Sequence, residues 1–329
     1  MDSVVRFGLE SLTDVAGAWA LLWESDPSST LFHHPQFARA WIPASDPSAR
    51  PALIEVSDGT DLVGLAPVSV GPDGVLRFFL DPEVTDYLGP ISRPELRDVV
   101  AECAFEAMAT IPGWTEADFA GLDADSGWVE ALARAAKAAG LEVQEEPMDV
   151  APRVGLLGDF EAYLAGLNSK LRHEIRRKER RLAREHEYAI RLSDVATLDD
   201  DLEAFFRMHR ASDGPKGHFM HEGAASLFTR IASAFLRHGW LRLAWLESAG
   251  VPLAAVFSFS ARGTWSVYNS AYDHRHRELA PGMVLMAETM RLAAEEGCHT
   301  FDFLRGSEPY KYRFGAIDAS VRRLRARRT

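Results

Sequence analysis

The chain has 329 residues, 47% of them hydrophobic and 10% aromatic, and a formal net charge of −12. That length suits two domains with ample core, and the negative balance excludes general adhesion to nucleic acid or acidic membranes. Two cysteines, Cys103 and Cys298, make neither a disulfide framework nor a zinc ribbon; they read as core thiols in a reducing compartment.

No basic segment leads into an apolar run at residues 1–6, so no signal peptide is expected. No uncharged apolar stretch approaches the roughly 20 residues needed to span a bilayer. A soluble, cytoplasmic protein is expected.

In chain order, residues 4–9 suit a strand and 14–24 a helix with Val15, Trp19 and Leu22 on one face. Residues 35–42 suit a short helix with Pro35 in its first turn. A loop over 43–51 leads to a hairpin, 52–56 and 62–70, turning at Ser57-Asp58-Gly59. Apolar runs at 76–80 and toward 85–90 suit further strands. A helix over 94–109, a strand at 115–119, a helix over 127–139 and a strand at 141–145 complete a first half. A boundary is expected near 147–157.

The second half repeats this order. Helices are expected over 160–164, 169–184, 198–211 and 223–236, with a strand at 188–192. Strands 240–247, 252–260 and 264–272 form a meander joined by Ser248-Ala249-Gly250 and Arg262-Gly263. Pro281-Gly282 opens a helix that Gly297 closes, and strands follow at 300–304 and 320–325. The shared order suggests an internal duplication, although two α/β units obeying the same packing rules would look alike.

Three clusters carry chemistry. After the strand at 264–272 the chain passes Asp273-His274-Arg275-His276-Arg277 and enters a helix at Pro281-Gly282-Met283-Val284. Free N–H groups of a first helical turn attract anions, although Pro-Gly there also suits a plain cap. A basic helix runs from Lys170 to Arg184, with an apolar stripe of Leu171, Ile175 and Leu182. Its cations suit a phosphate-bearing substrate, an acidic one or a tRNA end; the plainer reading is a solvated helix with ion pairs. The third cluster, His209 to Phe219, is a helix end and a glycine-rich loop. Neither His218 with His221 nor His274 with His276 has a carboxylate or thiol at ligand spacing, so no metal is expected. There is no Walker loop, no G-x-G-x-x-G after a strand and no G-x-S-x-G elbow.

The stretch Phe301-Asp302-Phe303-Leu304-Arg305-Gly306-Ser307-Glu308-Pro309-Tyr310-Lys311-Tyr312-Arg313-Phe314-Gly315 resembles the signature of CelD/BcsL-like acetyltransferases. These are tandem proteins of the GNAT superfamily, related to the FemABX transferases. Asp86-Tyr87-Leu88, the basic helix, and His209 with Ser212 and Lys216-Gly217-His218-Phe219 resemble other parts of that pattern. The pyrophosphate loop departs from it: residues 279–284 keep one glycine, Gly282.

The resemblance implies an α/β (α+β) fold of two GNAT-like domains, each a mixed, mostly antiparallel sheet flanked by helices. Residues 1–150 would be a degenerate domain, structural or shaping an acceptor cleft, and residues 151–329 the catalytic one. It implies an N-acyltransferase using acyl-CoA (acetyl-CoA) as co-substrate and an amine acceptor: a small metabolite, amino sugar or cell-envelope precursor. The donor would lie along Asn269, Ala271 and Tyr272, with its pyrophosphate on the N–H groups of Gly282, Met283 and Val284. Direct attack by an amine needs a base, Glu308 first, Asp302 second, or His209 if its helix reaches the cleft. The acid would be Tyr310 before Tyr312. Arg172, Arg176, Lys216, Arg305 and Lys311 would bind an anionic group of substrate or donor. Two alternatives stay open: a Fem-like transferase drawing on aminoacyl-tRNA, and a catalytically inactive protein that binds a polysaccharide or peptide.

Overall fold

The computed structural model describes residues 1–212 and 215–328, except for the side chains of residues 215 and 216. Contacts divide it into two units, Met1–Val150 with Ala319–Thr329, and Ala151–Asp318.

The first unit opens with β1 (Asp2–Phe7), and α1 (Ser11–Asp14), α2 (Ala16–Ser25) and α3 (Pro35–Trp41) follow. Strand β2 (Arg50–Asp58) pairs antiparallel with β1 and forms the expected hairpin with β3 (Asp61–Val70). Strand β4 (Val75–Phe78) continues the meander. Residues 79–90 then leave the ladder, and two residues, β5 (Ile91–Ser92), rejoin β3. The expected strand toward 90 fails because Pro82 and Pro90 lack the N–H a ladder needs and restrict the residues before them. Helix α4 (Arg97–Thr110) crosses to β6 (Glu116–Asp123), which runs parallel to β4. Helix α5 (Trp128–Ala138) leads to β7 (Leu141–Gly155).

Two expectations fail here. Strand β7, expected over 141–145, continues through Pro147 and Pro152 to Gly155, across the stretch where a boundary was expected. Pro152 serves the ladder through its carbonyl alone, which accepts the Phe303 N–H at 3.0 Å, and the pairing with β12 stops there. The C-terminal strand, Ile317–Arg328, was expected in the second half. From Val321 to Arg327 it pairs antiparallel with β6, and residues from Ala319 onward belong to the first unit.

The second unit begins with α6 (Phe160–Gly166) and α7 (Ser169–Glu185). Asp159 and Asn168 cap them, accepting the N–H groups of Ala162 and Leu171. Then come β8 (Tyr188–Leu192), α8 (Leu198–Arg210), α9 (Pro215–Phe219) and α10 (Glu222–Arg237). Strands β9 (Leu241–Ser248), β10 (Val251–Ala261) and β11 (Thr264–Tyr272) form the expected meander, and β8 pairs antiparallel with β9. Helix α11 (Pro281–Glu295) crosses to β12 (Thr300–Asp302), and α12 (Pro309–Tyr312) follows. Strand β12 lies parallel to β11 on one side and antiparallel to Arg153–Gly155 of β7 on the other. Both units therefore show the same order: an antiparallel meander, a crossover helix, and one parallel strand pair.

The second unit's sheet buries both faces. On one, Val256, Trp265 and Val267 pack with Leu285, Met286 and Met290 of α11, Tyr163 and Leu164 of α6, and Ile175 and Leu182 of α7. On the other, Phe205, Phe228 and Phe235 of α8 and α10 meet Phe257, Phe259 and Tyr268; Phe228 stacks on Tyr268 at 4.9 Å. Such aromatic pairs add about 0.5–1.5 kcal/mol each beyond area burial. The sheet is thus a rigid platform for the strand ends.

Candidate functional site

Strands β11 and β12 stay together for three residue pairs, Thr264↔Thr300, Trp265↔Phe301 and Ser266↔Asp302. Beyond them they part. Phe303 gives its N–H to Pro152, on the far side of β12, and Leu304 turns into the left-handed region at φ 59°. Strand β11 instead follows β10 to Tyr272, with a bulge where Tyr268 is the extra residue. A bulge adds local twist and bends a strand away from its neighbour. The result is a fork, open where a parallel pair ends, which is where ligands of such sheets bind.

Helix α11 stands at the fork. Asp273 ends β11 and accepts the Arg275 N–H; the Arg275 guanidinium holds its carboxyl down at about 2. Ala280 is left-handed at φ 52°, and Pro281 follows as the first helical residue. The expected three-donor cradle is smaller than the sequence suggested. Met283 and Val284 N–H groups both donate to the Ala280 carbonyl, at 3.0 and 3.2 Å. Among the described residues, Gly282 is the one left with an N–H to offer. A side chain on Gly282 would meet the Tyr272 ring at an ordinary 3.6 Å, so nothing within the chain requires glycine there. The Tyr272 ring also packs on His274, with centroids 4.4 Å apart.

The turn after β12 is held from inside. Asp302 is 3% exposed; Oδ1 accepts the Leu304 N–H at 2.7 Å and Oδ2 accepts Arg153 Nε at 3.1 Å. Lys311 is 2% exposed, and its Nζ donates to the carbonyls of Leu304, Arg305 and Gly306 at 2.9, 2.7 and 2.9 Å. The same nitrogen lies 2.9 Å from Glu308 Oε2, whose side chain is 56% exposed. Tyr310 packs edge-on against Phe303, and burial, with the Glu308 charge behind it, pushes its phenol far above the ordinary value. It keeps its proton at any working pH.

Residues 169–312 match the family model described as an acetyltransferase (GNAT) domain. The match begins at α7 and ends with α12, so the matched stretch holds the fork, the α11 turn and the Asp302–Lys311 turn. A comparison with curated proteins finds no match. Among solved structures the chain is similar to FemX, with TM-score 0.65 at 12% identity, covering 98% of this chain and 97% of that one. It is also similar to the C-terminal domain of a putative lysylphosphatidylglycerol synthetase from Agrobacterium fabrum, with TM-score 0.61, 10% identity and coverage of 97% and 93%. L-PGS from Bacillus licheniformis gives TM-score 0.58, 13% identity and coverage of 98% and 90%. At such identities the likeness is one of fold.

Around the fork, the residues singled out in the sequence divide. Asn269, Ala271, Tyr272 and Gly282 lie on β11 and the α11 turn, and Glu308 and Tyr310 stand after β12. Helix α8 does reach β11: His209 Nε2 is 3.0 Å from Asn269 Oδ1, although the ring is 1% exposed. Asp302 is a brace, since Leu304 and Arg153 take both its oxygens. Lys311 is a brace too, because three carbonyls and Glu308 consume an ammonium expected to meet substrate. Arg172 closes the end of α6 by donating to the Leu164, Ala165 and Leu167 carbonyls. Arg176 pairs with Glu161 at 2.5 Å, and Tyr312 donates to Asp318 at 2.8 Å. Arg305 contributes its carbonyl to Lys311. The Lys216 side chain lies outside the described residues.

Sequence reasoning missed Arg153, which stands 149 residues before its partner Asp302, a separation no local pattern spans. It also missed Arg291 of α11, whose guanidinium lies 4.2 Å from the Phe160 ring centre and near Glu161, Glu179 and Glu288. Among the described residues no group of three or more His, Cys, Asp or Glu stands close enough to hold a metal, and no helix is long and apolar enough to cross a membrane.

Proposed function

We propose that the chain is an N-acyltransferase that moves an acyl group from acyl-CoA, acetyl-CoA being the simplest donor, to an amine. The observation that carries this reading is the β11–β12 fork with Gly282 at its head, within the stretch that matches the GNAT acetyltransferase model. The residues suit the donor. The splayed strand offers backbone groups to a thioester arm, and the α11 N-terminus offers the Gly282 N–H and a favourable dipole to a phosphate.

In the reaction the amine nitrogen attacks the thioester carbonyl. The C–N bond forms, the C–S bond breaks, and the thiolate leaves. Two protons must move: one off the attacking nitrogen and one onto sulfur. Tyr310, held protonated by burial, suits the donor to sulfur. Glu308, half exposed, suits the acceptor from nitrogen, at the cost of its pair with Lys311. Tyr310→Phe then lowers kcat by about 10²-fold or more. Its fold and donor affinity stay as in wild type, since the ring and its Phe303 contact survive. Wild-type turnover by both Tyr310→Phe and Glu308→Gln sinks these roles.

The second reading, a donor carried on tRNA, is favoured by one observation. Helix α7 exposes Lys170, His173, Arg177, Arg180 and Arg184 in a row. Calorimetry of the full chain separates the two. Saturable acetyl-CoA binding supports the first, and tRNA binding that falls steeply with salt supports the second. The acceptor class, small amine or cell-envelope precursor, is then screened with the donor that binds. A chain that binds neither donor is a non-catalytic binder.

A further inference from the structure

We propose that the first unit carries a separate binding site for an organic ammonium ligand, in the cleft where the end of α3 and the loop after it face β4 and the segment that follows. The cavity measures about 590 Å³, within the range of small-molecule sites. Its floor is apolar: Phe78, Phe79 and Leu80 are 5–8% exposed. Trp41 lines it as well, and its Nε1 is shut off from water without a partner among the described residues.

The charge is one-sided. Arg77, the one cation among the described lining residues, is spent on Asp73 through two bonds of 3.0 and 2.7 Å. Three carboxylates remain. Asp46 comes from the loop after α3; Asp81 and Glu83 come from the segment after β4. Ser48 donates its N–H and hydroxyl to Asp46, which holds that carboxyl in its charged form. The lining carboxylates are not gathered tightly enough for a metal ion. Acidic groups spread around an aromatic and apolar floor fit an extended body ending in ammonium. This inference does not depend on the chemistry proposed for the second unit.

The test is calorimetry of the full chain with 1,6-diaminohexane, using hexane-1,6-diol as the uncharged control of equal length. Saturable binding of the diamine without binding of the diol is expected, weakening with salt. The Asp81→Asn, Glu83→Gln double variant should lose at least tenfold in affinity at an unchanged thermal midpoint. Trp41→Phe should weaken binding while leaving both carboxylates in place. No saturable signal up to about 10 mM diamine overturns the proposal, being weaker than any useful site. So does equal binding of the diol, wild-type affinity in the double variant, or stoichiometric displacement of the diamine by Mg²⁺.

Discussion

Lys311→Met separates two roles for the most buried cation of the candidate site. The side chain is 2% exposed, and its Nζ contacts three carbonyls and Glu308, all between 2.7 and 2.9 Å. Methionine keeps much of the stem and removes the charge. Leu304, Arg305 and Gly306 are then left with carbonyls converging on nothing. Stranding three buried acceptors costs about 3–5 kcal/mol together, toward the low end of the roughly 1–3 kcal/mol each that an unsatisfied group costs. Glu308 adds little, because solvent reaches it and replaces the lost pair. For a unit of this size each kcal/mol lowers the thermal midpoint by about 2–4 °C, so the loss should be roughly 6–20 °C. Near-UV circular dichroism on heating measures it, and steady-state kinetics on the surviving folded protein gives KM and kcat. A brace predicts the lower midpoint. A substrate ligand predicts a raised KM at an unchanged midpoint, and that result refutes the argument made here from Lys311's partners.

Gly282→Ala should move stability and binding in opposite directions. A helical glycine exchanged for alanine gains about 0.5–1 kcal/mol, and the new methyl has ordinary room beside Tyr272. Donor affinity should fall, read by calorimetry; unchanged affinity removes Gly282 from the donor site. Glu179→Gln tests a pH effect. Burial first, then Glu288, raises the Glu179 carboxyl above its ordinary 4.5. The folded chain therefore binds that proton more tightly than the unfolded chain. The stability it lends is complete below pH 4.5 and is lost as pH climbs through the higher folded value. The glutamine variant should lack that decline, so its midpoint exceeds wild type by a margin that opens above pH 4.5; parallel curves contradict this. The Tyr310 phenol, raised in the folded chain, should impose no fall in rate up to pH 10.

Most of the elements were legible in the sequence, because apolar spacing, Gly-containing turns and Pro-Gly at the start of α11 are local signals. Residues 52–70 and 240–272 read as hairpins and are hairpins. What sequence could not give was the fate of charge. Lys311, Arg172 and Arg176 looked like ligands for a substrate, and Asp302 like a base, because charge near a strand end or on a helix is visible. The carbonyls and distant side chains that absorb it are not. Arg153 illustrates the gap, since it braces Asp302, far along the chain. Strand β7 ran through two prolines for the same reason: a ladder supplied by tertiary structure overrides local preference. Glu308, Tyr310 and Gly282 stay proposals: Glu308 is half exposed, the Gly282 N–H has no acceptor among the described residues, and Tyr310 is buried against Phe303 beside Glu308.

The C-terminal strand has a consequence for how the chain is made. Its residues Val321 to Arg327 pair with β6, so the first unit cannot complete its sheet until residue 327 has been made. Domains generally fold in the order they emerge from the ribosome. Here the earlier one must wait with an open β6 edge while the later one is synthesised whole. A chain cut before Val321 would keep all of residues 169–312 and still leave β6 without its partner on that edge.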